Sequence, residues 1–261
     1  MHTTHAKNTL NNKGSKFLAI SAGILCLALT LWAALWSWSA LITVRPAKLL
    51  TQWQHKPAEF DQTLATSLLP RLEQSLAFNP ADANSYLLLA GLYQLIAEHG
   101  GETDDKPNNQ QQDYFDLAEL NYKKAIQQQP TWDYAWAKLA LFYSNNNYQA
   151  KLTLQALNQS MLLGPYEDET QKIVIPLILK HWQNISQTPT GLEQAADIIK
   201  HALKYYTHAL LTLDAAKQFN KLDQLTPLLS QQWHKNRLKK YKNEYKKELA
   251  AQAIDTEAGH E

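Results

Sequence analysis

This chain of 261 residues offers nine histidines, one cysteine and 24 acids from which a chemical site could be built. A metal site takes three or four His, Cys or carboxylate ligands at one point. Covalent catalysis takes a nucleophile beside a base. His2, His5, His55, His99, His181, His234 and His260 are scattered along the chain. His201 and His208 stand seven residues apart, two helical turns, and could share a helix face. No carboxylate is spaced to complete a metal site with them, so both are read as core or surface histidines. Cys26 falls in a long apolar run, where a thiol acts as a small apolar group rather than a nucleophile. Asp104 and Asp105 lie in a stretch without apolar periodicity, and a loop of that kind cannot hold catalytic geometry. The phosphate loop, the dinucleotide fingerprint, G-x-S-x-G, H-E-x-x-H and the calcium-loop spacing are absent. The expectation is a non-catalytic protein with no cofactor and no metal.

The pattern that does recur is structural. Trp136, Leu139, Ala140 and Tyr143 sit at offsets i, i+3, i+4 and i+7, which places them on one face of a helix. Tyr86, Leu89, Ala90 and Tyr93 repeat those offsets fifty residues earlier. The first helix of a tetratricopeptide repeat (TPR) is written W-x2-L-G-x2-Y, and alanine stands here for its glycine. Its second helix should read as a small residue, an aromatic or apolar residue four on, and a closing proline. Ala118, Tyr122, Ala125 and Pro130 fit, with spacings of four, three and five. Thr153, Leu157, Ser160 and Pro165 repeat them, as do Leu68, Leu72, Ser75 and Pro80. Proline cannot continue a helix, so each unit ends there. A generic antiparallel helix bundle is the bland alternative. The reading is all-α: a single N-terminal transmembrane helix followed by a TPR-like α-solenoid.

Residues 1–16 form a polar tail, and Phe17 to Val44 run without a charge. About 20 apolar residues suffice to cross a bilayer. A cleaved signal peptide would have a shorter apolar region, of about 7–15 residues, so residues 17–44 are read as an uncleaved anchor. Trp32, Trp36 and Trp38 gather at its far end, where indoles suit the water interface. Lys7, Lys13 and Lys16 precede the span while Arg45, Lys48 and Lys56 follow it, so counting positive charges leaves the orientation nearly tied. The short lysine-bearing tail resembles a bacterial signal anchor with its tail inside. That puts the main domain outside the cytoplasm, in a periplasm, with the anchor in the inner membrane. Residues 45–63 are expected as a juxtamembrane connector and 64–233 as the TPR-like domain.

Residues 100–113 break the periodicity and are expected as an exposed insertion loop on one face of the array. Beyond Gln171 the signature fades into a degenerate third repeat and capping helices. There Pro176 interrupts an apolar helix, and Thr190 with Glu193 reads as a capping box. Residues 234–261 are expected as a basic helix and flexible tail, either a solvated end or a surface for an anionic partner. A formal net charge of +1 gives no sign of a nucleic-acid partner.

The order of a single span, a capping helix and an interrupted repeat, then P-T-W-x-Y-A-W-A-K-L-A at Pro130 to Ala140 and L-L-G-P-Y-E at Leu162 to Glu167, resembles VpsP-type bacterial polysaccharide biosynthesis accessory proteins. The similarity covers roughly Arg45 to Lys221. It implies a role in exopolysaccharide synthesis or export, and carries over no catalytic residue. Independently, a repeat array presents a concave surface to a protein partner. Asn84, Gln94, Lys138 and Asn145 are the polar positions beside the packing stripe expected to meet that partner. Direct polysaccharide binding through exposed Trp132, Tyr134 or Tyr148 is the other reading.

Overall fold

A computed structural model describes residues 5–99, 109–146, 148, 150–229 and 235–243. Its helices are α1 (His5–His55), α2 (Gln62–Phe78), α3 (Ala83–His99), α4 (Asn109–Gln128), α5 (Asp133–Asn145), α6 (Ala150–Leu163), α7 (Asp168–Lys180), α8 (Trp182–Ile185), α9 (Pro189–Ala202), α10 (Tyr206–Gln218) and α11 (Leu222–Leu225). Residues 235–243 are also helical, and the described residues contain no strand. The protein is therefore all-α, a long apolar N-terminal helix followed by helical hairpins. The chain divides into two compact units, Met1–Gln128 and Gln129–Glu261.

In the first unit α1 does two jobs. From Phe17 to Trp38 its large apolar side chains lie bare. At 1.5 Å per residue this segment is about 33 Å long, close to the ~30 Å core of a bilayer. The apolar run does not end there, but from Ser39 onward one face of it is buried. Ser39 donates to the Ser75 carbonyl (3.0 Å) and shares a hydrogen bond with its hydroxyl (2.8 Å). Ser75 in turn bonds the Ser85 hydroxyl at 3.0 Å, which donates to Asp82. This buried chain of hydroxyls joins α1, α2 and α3.

The expected connector over 45–63 is helical as far as His55. Pro46 lies inside α1, and the helix continues because its far end is packed. Leu50 and Trp53 are buried, and Trp53 meets Phe60 edge-on at 5.3 Å. Gly91 in α3 lets this end approach closely, since a β-carbon there would sit 3.0 Å from the Leu50 side chain. Full burial of two such side chains contributes roughly 1.5–3 kcal/mol each.

The positions at recurring offsets face inward. Leu68, Leu72 and Ser75 on α2, Ala118, Tyr122 and Ala125 on α4, and Thr153, Leu157 and Ser160 on α6 are all buried. Of the first-helix positions, Leu89, Ala90, Tyr93, Leu139, Ala140 and Tyr143 are buried, while Tyr86 and Trp136 at the helix starts are half-buried. Trp136 donates from Nε1 to the Pro130 carbonyl. Alanines at the centre of each hairpin let the two backbones close up.

The expected loop 100–113 is helical from Asn109. Gln111 there donates to the carbonyl of Ala97 in the last turn of α3 (2.8 Å). That polar turn has no apolar period to announce it. Residues 100–108 lie outside the described residues.

In the second unit Asp133 closes the α5–α6 hairpin. Its carbonyl accepts from Ser160 (3.0 Å) and its carboxylate from Thr170 of α7 (2.6 Å). Gly164 is required beside it: a β-carbon there would fall 2.1 Å from the Asp133 carboxylate. Pro176 lies inside α7 without ending it. The cap of α9 is Thr188, not Thr190. Pro189 takes the first helical position, which its fixed φ suits, and the Thr188 hydroxyl accepts from the Gly191 amide. Of the basic C-terminal stretch, residues 235–243 dock on this unit. Leu238 is buried, Lys242 pairs with Asp223 at 2.6 Å, and Tyr241 donates to Asp214. The tail beyond is outside the described residues.

Candidate functional site

The four positions proposed to meet a partner fall two in each unit. Asn84 is exposed in the first turn of α3. Gln94 is engaged inside the α3–α4 hairpin: its amide donates to Glu98 (2.6 Å) and its carbonyl accepts from the Tyr122 hydroxyl (2.8 Å). Lys138 is half-buried, with its ammonium 5.4 Å from the centre of the Tyr134 ring, and burial holds its pKa down. Asn145 is exposed at the end of α5. Gln94 thus serves the hairpin, and Asn84 and Asn145 are the outward-facing members. The aromatics of the other reading are only half-exposed. Trp132 leans on Tyr134 (6.1 Å), and Tyr148 packs on Tyr143 (5.0 Å) and Phe142 (5.4 Å).

A cavity of about 270 Å³ lies elsewhere in the second unit, lined by Tyr166, Asp168, Gln171, His201, Tyr205, Thr207 and His208. Three helix ends meet there. Asp168 and Gln171 come from the first turn of α7, His201 from the last turn of α9, and Thr207 and His208 from the first turn of α10. The helix is interrupted at residues 203–205, so the two histidines do not share a helix face as their spacing suggested. They meet across the turn. The Tyr205 ring lies 5.3 Å from His201 and edge-on to His208 at 6.3 Å. Tyr166 extends the row, 4.2 Å from His201.

The carboxylate that the spacing could not supply comes from forty residues upstream. Asp168 Oδ1 is 3.1 Å from His208 Nε2, within ion-pair range. It lies off the line that a hydrogen bond needs, and neither ring nitrogen of His208 makes one although the residue is 6% exposed. The Lys172 ammonium, 2.8 Å away, holds the Asp168 carboxyl below its ordinary pKa. Gln171 donates to the Pro165 carbonyl (2.9 Å), and its amide lies 3.3 Å from His201 Nδ1. Tyr166 donates to Asp197, and that bond raises its pKa. Among the described residues no three His, Cys, Asp or Glu side chains converge on a point that a metal ion could occupy. The pair of histidines was the one sequence signal that pointed here.

No family model matches this chain, and no curated protein is significantly similar to it.

Proposed function

We propose that this protein is a non-catalytic scaffold, a TPR-like repeat domain held at a bacterial inner membrane with its main part in the periplasm. In this reading it serves exopolysaccharide synthesis or export by gathering protein components of that machinery. The observation that carries the proposal is α1. It is one helix whose first part is bare and long enough to cross a membrane, and whose last part is built into the core of the first unit. A domain joined in this way is held at the bilayer surface rather than trailing on a flexible tether. Restriction of that kind raises the local concentration of whatever it binds. The repeated register of aromatic, apolar and small residues supports the TPR-like part, and the resemblance to VpsP-type accessory proteins supports the polysaccharide part.

Two measurements test it. Crosslinking of the full-length protein in cells, followed by mass spectrometry, should capture glycosyltransferase or polysaccharide-export subunits, and Lys138→Glu should reduce that capture. Recovery of cytoplasmic chaperones or cell-division proteins alone rejects the polysaccharide role. For topology, a Cys26→Ser, Asn145→Cys chain should react with an impermeant maleimide in spheroplasts before lysis. Reaction only after lysis rejects the periplasmic placement.

A further inference from the structure

We propose that the turn between α2 and α3, Leu76 to Ala81, is a second membrane contact of the first unit, dipping into the boundary between lipid headgroups and acyl chains beside the span. This rests on the reading of α1 as a membrane span and adds what the rest of the unit does at the bilayer.

The register of the α1–α2 hairpin sets the depth. The two helices run antiparallel: Trp53 near the end of α1 meets Phe60 just before α2, and Ser39 bonds Ser75 near the end of α2. From Ser75, α2 continues three residues to Phe78, about 4.5 Å further toward the bare segment of α1. Phe78 is therefore level with Trp36, and the turn after it lies at the depth of the indoles that suit a membrane–water interface. On its free face α1 stays apolar well beyond this level. Leu41 and Val44 are 63% and 61% exposed, and the first charge after them is Arg45. A bilayer boundary drawn short of the turn would leave Trp36, Trp38, Leu41 and Val44 all in water.

The composition of the turn fits that place. Between Glu73 and Asp82 no residue is charged. Ala77, Pro80 and Ala81 are exposed, and Leu76 and Phe78 are half-buried. Asp82, which closes the stretch, is engaged at the start of α3, where it accepts from the Asn84 amide and the Ser85 hydroxyl. Tyr86 follows one residue beyond Ser85, with the Lys124 ammonium 5.7 Å from the centre of its ring. A ring with a polar tip and a long cationic side chain suit the headgroup zone. The opposite end of the hairpin is charged: Lys56 pairs with Glu59 at 2.8 Å, and the Asp61 carboxylate caps α2. The uncharged end is the one beside the span, and that continuity with the bare face of α1 selects lipid as its occupant.

The test uses the full-length chain in phosphatidylcholine vesicles. Cys26, the single cysteine, is replaced by serine, and an environment-sensitive fluorophore is attached to Leu25→Cys, Gln62→Cys, Ala77→Cys or Ala81→Cys. All four positions are exposed, so the labels leave the packing intact. Quenching is read with iodide on both sides of the vesicle and, separately, with a nitroxide near the headgroup end of the lipid acyl chain. Interfacial segments lie about 5–10 Å into this boundary. The labels at 77 and 81 should therefore be quenched by the lipid nitroxide, with iodide quenching several-fold weaker than at 62. Iodide quenching at 77 and 81 equal to that at 62, with residue 25 still shielded from iodide, overturns the proposal and leaves the span standing. Iodide quenching at 25 as well removes the span, and the proposal with it. Labels at 77 and 81 shielded from both quenchers would mean that protein covers the turn, which also overturns it.

Discussion

Between α3 and α4 the packed faces carry Ala90, Ala118 and Ala125, none with any exposed surface. The Tyr122 hydroxyl reaches across to Gln94, whose amide donates to Glu98 on the same helix. Where α7, α9 and α10 meet, two tyrosines stand half out of the protein over a buried imidazole without a hydrogen bond. The difference is one of geometry. Helices joined side by side along a repeated register present small residues to each other, and their backbones close up. Helices that meet end to end present side chains of unequal length, and the gaps between them persist. Side-by-side packing therefore closes the first region, while the meeting of helix ends leaves an open cleft in the second.

The largest expected effect breaks the closed region. Leu72→Ala, at a site with no exposed surface on α2, should cost about 2–5 kcal/mol in thermal unfolding followed by circular dichroism. A loss below about 0.5 kcal/mol would mean that this face is not packed. The buried polar groups of the two units should then respond in opposite senses. Ser75→Ala removes the hydroxyl that links Ser39 to Ser85, while Ser39 keeps the residue-75 carbonyl and Ser85 keeps Asp82, and should cost about 0.5–1.5 kcal/mol. His208→Leu removes an imidazole that makes no hydrogen bond and has only the exposed Asp168 carboxylate, 3.1 Å away, beside it, so its melting temperature should stay level or rise. A fall as large as that of Ser75→Ala would show that the imidazole is satisfied within the protein.

Effects of that size or smaller sharpen the picture at the helix ends. Thr188→Ala should cost about 0.5–2 kcal/mol, while Thr190→Ala stays within about 0.5 kcal/mol. Reversal of that order would move the cap of α9 to Thr190. The smallest effect is a pH dependence. His181 shares a 2.8 Å hydrogen bond between Nε2 and Ser144, and burial, then Lys180, holds its pKa below the ordinary value. A depressed pKa means that the folded state resists protonation. Its contribution should be complete above about pH 6.5, the ordinary histidine value, and shrink as pH falls below it. His181→Gln should lose less melting temperature than the parent between pH 7 and pH 5.

Much of this fold was legible in the residues. Offsets of three and four put Leu68, Leu72 and Ser75, or Ala118, Tyr122 and Ala125, on a single helix face whatever the surroundings, and those faces are buried. The uncharged run from Phe17 announced a helix fit for a membrane. Less legible were the places where packing overrules a local rule. Pro46 and Pro176 both lie within helices, because contacts on either side hold the helix through a missing amide. Pro189 shifted the cap of α9 two residues back. Asn109 to Asp113 joined α4 without any apolar period, since Gln111 found the end of α3.

The sequence by itself determined the helical class, the faces that turn inward and the bare membrane-length segment, because periodicity and hydropathy belong to neighbouring residues. Only the tertiary structure decided that the long apolar helix is built into the first unit, that the chain divides after Gln128, and that Asp168 stands beside His208. Each of these depends on residues far apart in the chain being brought together, and spacing along a chain carries no record of which distant helix ends will meet.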